Sequence, residues 1–365
     1  MYIILSVRDL IFYFFALMSG LRRLRAWVFN HELNPDNIRT QLSASAVPVS
    51  PADCRTCSEP CEDGHDDYPA RFTIDMETQM LGTVSPFRRQ IFISTGTIDW
   101  DFEIMWKSES LAYYVSKAYR RTPVTPSTAT SDVPRISGVF NASDSSQVSI
   151  LNASHKTISD EPNLETVLVF PDFMLISEVP STPEGGKLLW DAALDPRIPR
   201  ILGSGETKFN TWVLPYSCVI TFCSHKRRDG RCGISAPKLE RAFINALQQR
   251  GWTVDSQLEH IIDPPLEQFS GTVAEKDAYI IQSLKELQTA KKALLLFNSH
   301  MGGHQYAGNC MIYTPNGASV WYGRVTPHEV DSVVENTIEG GLILPALLRG
   351  GLNLSKPGCR TLHDW

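Results

Sequence analysis

The chain has no run of about 20 consecutive apolar residues, the length a helix needs to cross a bilayer. Its cleanest apolar stretch, Leu10 to Met18, falls far short. Positive charge is not in excess: 34 Lys and Arg stand against 40 Asp and Glu, a net charge of −6. That balance excludes a general nucleic-acid binder, whose phosphate contacts need a basic face. No glycine-rich phosphate loop of Walker type is present, and Gly203-Ser-Gly205 stands alone. No carboxylate pair marks a glycosidase, no spacing suggests a Ser-His-Asp arrangement, and no internal repeat is visible. These absences disfavour a hydrolase. Eight cysteines in 365 residues are too sparse for a disulfide-stapled secreted domain. They fit a reducing compartment in which some thiols serve metal or redox work. In that setting the sequons at Asn141, Asn152 and Asn353 carry no meaning.

What is present has the composition of an ordinary globular protein, 42% hydrophobic and 20% charged. At roughly 100–200 residues per domain the length suggests two. Residues 1–50 read as leader and linker. Leu21-Arg-Arg-Leu-Arg-Ala-Trp-Val-Phe29 is basic, amphipathic and free of acid, as in mitochondrial presequences, and Met18 competes with Met1 as the true start. A mitochondrial or a cytoplasmic location is therefore expected. Residues 51–207 read as an N-terminal α/β domain interrupted at 121–163 by a Ser-, Thr-, Pro- and Asn-rich insertion expected to be disordered. Residues 208–352 read as a second α/β domain, and 353–365 as a tail.

The second domain is the clearest. Val213 to Phe222 is a buried strand by its β-branched apolar run, and Ala293 to Phe297 is another. Helical faces are expected over Pro237–Gln249 and Ala278–Lys291, with a weaker strand near His260-Ile-Ile262. Cys310–Tyr313 and Ser319–Tyr322 flank Pro315-Asn316-Gly317, a hairpin signal. Thr326-Pro-His-Glu329 opens a further helix with an N-cap, Pro at the first turn and Glu three residues on, and Gly340 ends it. This order matches a thioredoxin-like α/β domain, in which ligands collect at the carboxyl ends of the parallel strands.

Chemistry-bearing residues follow both strands: Cys223-Ser-His-Lys-Arg-Arg-Asp-Gly-Arg-Cys232 after the first, His300-Met-Gly-Gly-His304 after the second. Thiolate and imidazole ligands suit zinc or an iron–sulfur centre. Two features favour iron–sulfur. Eight residues separate the cysteines, wider than a structural zinc knuckle, and the glycines between the histidines permit close backbone approach. Two histidines replacing two cysteines on one iron has the Rieske centre as precedent. Arg227, Arg228 and Arg231 would stabilise thiolates and an anionic cluster.

These motifs, with His-x-Gly-Gly-His-x-x-Ala-Gly-Asn309 and Trp321-Tyr-Gly-Arg324-Val, resemble the sucrase/ferredoxin-like family, whose fungal members include "actin patches distal" and "altered inheritance of mitochondria" proteins. The likeness is close over 211–351 and looser over Cys54–Pro69, Val169–Asp172 and Ser177–Pro180. It implies a thioredoxin-like ferredoxin domain with a [2Fe–2S] cluster on Cys223, Cys232, His300 and His304. It also implies electron transfer, redox homeostasis and tolerance of oxidative stress, with a redox partner it does not identify. The alternatives are a thiol oxidoreductase using Cys54, Cys57 and Cys61, with His65 nearby, or a zinc-stabilised binding module. The end, His363-Asp364-Trp365, resembles tails that recruit clients to iron–sulfur assembly machinery. His225 reads as a polar loop residue, Cys218 and Cys310 as core, and His31, His155 and His328 as surface. Trp321 and Tyr322 read as core packing.

Overall fold

The computed structural model describes residues 35–52, 68–121, 136–203, 208–259 and 261–364. Leader residues 1–34 and Cys54, Cys57, Cys61 and His65 lie outside them, as do His31 and Trp365.

The fold is mixed α/β, as expected, and one sheet of twelve strands runs through it. In the first half, helix α1 (Pro35–Ala44) precedes strand β1 (Arg89–Ser94), and helix α2 (Leu111–Arg121) follows it. Then come β2 (Val139–Phe140), β3 (Val148–Ala153), β4 (Leu164–Phe170), β5 (Met174–Pro180), helix α3 (Pro183–Leu189) and β6 (Asn210–Val213). The second half is β7 (Cys218–Cys223), α4 (Gly230–Gln249), β8 (Thr253–Asp255), α5 (Val273–Leu287), β9 (Lys292–Asn298), β10 (Cys310–Tyr313), β11 (Ser319–Tyr322), the short α6 (Val330–Val333) and β12 (Leu348–Leu352).

Strand order is β2-β12-β11-β10-β7-β9-β3-β1-β4-β5-β6, with β8 beside β9. β7 and β9 are parallel, and β10 runs antiparallel to β7 and to β11. The order β9-β7-β10-β11, joined by α4 and α5, is the thioredoxin-like arrangement expected. β7 is buried at every residue, which is why it reads as an unbroken apolar run: a strand covered on both faces has no polar side to alternate with. Leu295, Phe297 and Phe222 face one apolar cluster with Leu239 and Phe243 of α4. Leu294, Leu296 and Val219 face the other with Met311, Tyr313 and Trp321.

Four expectations are corrected. The segment 121–163 is not all insertion. Its second half supplies β3, which pairs with β1 on one side and β9 on the other. Its few apolar residues suffice because neighbouring strands on both sides provide the partners. The strand expected near His260 is β8 instead; Ile262 is 93% exposed. Helix α4 starts at Gly230, with Asp229 as its cap, and passes through Pro237; the proline forfeits one helical hydrogen bond and does not begin the helix. Helix α5 starts earlier than expected because Thr272 and Glu275 form a capping box. Among the described residues, no helix is long and apolar enough to cross a membrane.

Candidate functional site

Cys223 ends β7 and sits level with Asn298 at the end of β9. Parallel pairing therefore sends the cysteine loop and the histidine loop off the same sheet edge. The Ser224 amide donates to Asn298 O at 3.2 Å and the Cys223 amide to Asn309 O at 3.3 Å, which knits the two loops together. Cys232 lies in the first turn of α4, a helix of 20 residues.

The sulfurs meet there. Cys232 first, then His300 and the Met301 amide, hold the Cys223 pKa well below that of an ordinary thiol despite full burial. The Cys232 bond to Cys223 contributes most, and Cys232 is pushed far up as the proton donor of the pair. The N-terminus of α4 adds its partial positive charge. The His304 ring lies beside that of His300, tilted by 35° with centroids 5.3 Å apart, and its Nε2 lies 3.9 Å from Asp229 Oδ2. Desolvation keeps the His304 pKa below the usual value. The Nδ1 atoms of both rings are buried without a partner among the described residues.

His225 is not the polar loop residue expected. It is buried, its Nδ1 accepts from the His300 amide at 3.1 Å, and its Nε2 lies 2.9 Å from Trp100 O. Since the His300 N–H must donate, Nδ1 accepts, and the ring is held as the Nε2–H tautomer. Burial keeps its pKa low.

The three arginines serve another purpose than the one expected. Arg227 pairs with Asp101 at 2.9 Å, Arg228 with Glu103, and Arg231 with Asp229 at 2.8 Å. Arg228 also lies over the Phe102 ring, 4.0 Å from its centroid. With Ser224 Oγ donating to Ile98 O at 2.6 Å, Arg227 and Arg228 strap residues 98–103 across the cysteine loop, while Arg231 pairs within the loop. Their charge is matched by carboxylates.

The cation at the centre is Arg349, which the sequence motifs did not single out. It is 1% exposed. It donates to Asn309 Oδ1 at 2.7 Å, Gly302 O at 3.1 Å and Thr83 Oγ1 at 3.2 Å. Desolvation lowers its pKa to about 10, and the nearby Cys223 and Cys232 oppose that fall. An arginine in an otherwise apolar strand, followed by two glycines, was the available signal.

Elsewhere, Cys218 and Cys310 are core residues, as expected, and burial pushes the Cys218 thiol up to about 12. Trp321 and Tyr322 pack in the core, and Arg324 donates to the carbonyls of Asp75 and Thr78. His155, expected at the surface, is fully buried against Thr166 O at 3.2 Å. His328 is exposed. In the tail, Asp364 Oδ2 accepts from the Arg360 and Thr361 amides.

The expectation of an iron–sulfur electron carrier is overturned. Among the described residues, no group of three or more His, Cys, Asp or Glu could hold a metal ion. His304 instead faces Asp229, its Nε2 3.9 Å from Oδ2. The zinc-stabilised module falls with the same observation. The thiol oxidoreductase built on Cys54, Cys57 and Cys61 concerns residues outside those described.

The family described as sucrase/ferredoxin-like matches residues 80–350. "Actin patches distal protein 1" of Saccharomyces cerevisiae is 25% identical over 300 residues, 77% of this chain and 78% of its own length. "Altered inheritance of mitochondria protein 32" of Meyerozyma guilliermondii is 31% identical over 135 residues, 37% of this chain and 35% of its own. The protein of that name from Debaryomyces hansenii is 35% identical over 135 residues, 36% and 35% of the two chains. The match thus spans about a third of each inheritance relative. These names record actin patches and mitochondria, not electron transfer. No solved structure matches.

Proposed function

Because this chain belongs to the sucrase/ferredoxin-like family, we propose that it serves the processes its relatives are named for and that its working part is a nucleophilic thiol, Cys223. Those processes are the distribution of actin patches and the inheritance of mitochondria. The mitochondrial setting rests on the two inheritance relatives.

One observation carries the chemical half: Cys223 is buried at the end of β7, level with the end of β9 that leads into His300, and with Cys232 and Met301 these neighbours lower its pKa. The thiolate is the nucleophilic form of cysteine, and neighbours of this kind hold it at neutral pH. Cys232 keeps its proton and stands ready to give it to a leaving group. The His225–His300 bond fixes the backbone from which the imidazole reaches Cys223.

The test is rescue of a budding-yeast strain lacking its actin patches distal protein. The chain should restore patch distribution, and Cys223→Ser, produced at equal abundance, should not. Equal rescue by Cys223→Ser would remove the thiol from the account, and no rescue by the unaltered chain would remove the shared cellular role.

A further inference from the structure

A cavity of about 390 Å³ lies between β3 and the histidine loop. Met105, Tyr119, Ile150, His300, Met301 and Trp321 are among the residues that line it. Among the described residues, no Asp, Glu, Lys or Arg lines it. The size falls within the range of small-ligand pockets, roughly 300–1,000 Å³, and such pockets are mainly apolar with a few polar groups that fix orientation.

Two such groups are present. The Trp321 indole is 5% exposed, and its Nε1 has no hydrogen-bond partner among the described residues. The His300 Nδ1 is likewise buried without one. A buried donor left unmade costs on the order of 1–3 kcal/mol, and tryptophan N–H groups usually find a partner when buried. Trp321 leans on Phe87 with its ring centroid 5.9 Å away, so packing holds the indole in place. We propose that this cavity binds a small uncharged ligand with an apolar, preferably aromatic, body and one hydrogen-bond acceptor, which meets the Trp321 N–H.

The location gives the pocket a purpose. His300 and Met301 line it, and both also lower the pKa of Cys223. A ligand in the cavity therefore lies against the groups that hold the thiolate. In this the inference rests on the thiol reading above; binding itself does not need the thiol.

The experiment is a fluorescence titration with prodan, an uncharged naphthalene ketone of the required shape. The unaltered chain should bind it at one saturable site with blue-shifted emission. Ile150→Trp, which fills the cavity, should abolish that signal. Trp321→Phe, which keeps the ring and removes the donor, should weaken binding about tenfold. Trp106→Ala, which alters an exposed side chain that does not line the cavity, should leave binding unchanged. Prodan binding is read without any thiol chemistry, which separates the outcome for the pocket from that for the thiol. Absence of saturable binding to the unaltered chain would overturn the pocket, as would binding that survives Ile150→Trp or disappears in Trp106→Ala.

Discussion

The Arg349 guanidinium occupies the space that a side chain at Gly303 would need: a Cβ built there would stand 2.3 Å from Nη2. Gly303 is also left-handed, with φ +68°, as is Gly302 at +82°. The two glycines of His-x-Gly-Gly-His therefore serve different ends. Gly302 has open space around it and is needed for its backbone angle alone. Gly303 must also leave room for the cation.

Gly302→Ala should cost about 1–2 kcal/mol, the usual cost of a left-handed alanine. Gly303→Ala should cost clearly more, because the buried arginine has to move as well. Urea unfolding of the two variants side by side checks the difference. Equal losses would mean that Arg349 yields easily.

Arg349→Leu leaves Asn309 Oδ1 and Gly302 O without their buried donor. Each orphaned group costs about 1–3 kcal/mol, so the variant should lose on the order of 3 kcal/mol of stability. It should also raise the pH at which Cys223 loses reactivity, since a buried positive charge near the sulfurs is gone. Unfolding and thiol labelling measure the two effects separately.

Ser224→Ala removes the 2.6 Å bond to Ile98 O that pins the strap over the cysteine loop. Cys223 is only 2% exposed, so its labelling depends on local opening. The variant should label several-fold faster while its global stability falls by about 1 kcal/mol. An unchanged labelling rate would show that the strap does not gate the site.

His155 gives the clearest pH dependence. Burial lowers its pKa from 6.5 to about 4. The unfolded chain therefore takes up the proton first as pH falls. Stability is complete above pH 6.5 and declines as the pH drops from 6.5 toward 4. Each tenfold difference in proton affinity between the folded and unfolded chain is worth about 1.4 kcal/mol, so the loss is on the order of 3 kcal/mol. In His155→Gln this part of the decline should vanish, which stability curves at pH 7 and pH 4.5 compare directly.

Much of the fold was legible because local chemistry dictated it. The hairpin strands Cys310–Tyr313 and Ser319–Tyr322 fall where the Pro-Asn-Gly turn puts them. Thr326 and Glu329 form the expected box, although the helix behind it soon widens into a π-helical turn over Val334–Glu339. β3 was illegible because its stability is borrowed from strands far away in sequence. The meeting of Cys223, Cys232 and His300 could be read from two strand ends that parallel pairing brings level. What they do there could not, because it depends on Arg349, Trp100 and Met301, whose contributions come from long-range contacts. Arg227 and Arg228 misled because their acidic partners lie about 125 residues upstream, and Arg231 because its partner, Asp229, is a neighbour in the same loop.

The proposed function requires Cys223 to be a thiolate near neutral pH. Labelling with methyl methanethiolsulfonate from pH 5 to 9, with the modified residue identified by peptide mass spectrometry, tests it most directly. Cys223 should label ahead of the buried Cys218 and Cys310, at a rate that rises far less steeply with pH than that of an ordinary thiol, and His300→Ala should steepen that rise. A rate that climbs tenfold per pH unit through the neutral range would contradict it. So would a coloured protein whose Cys223 labels only after treatment with a chelator.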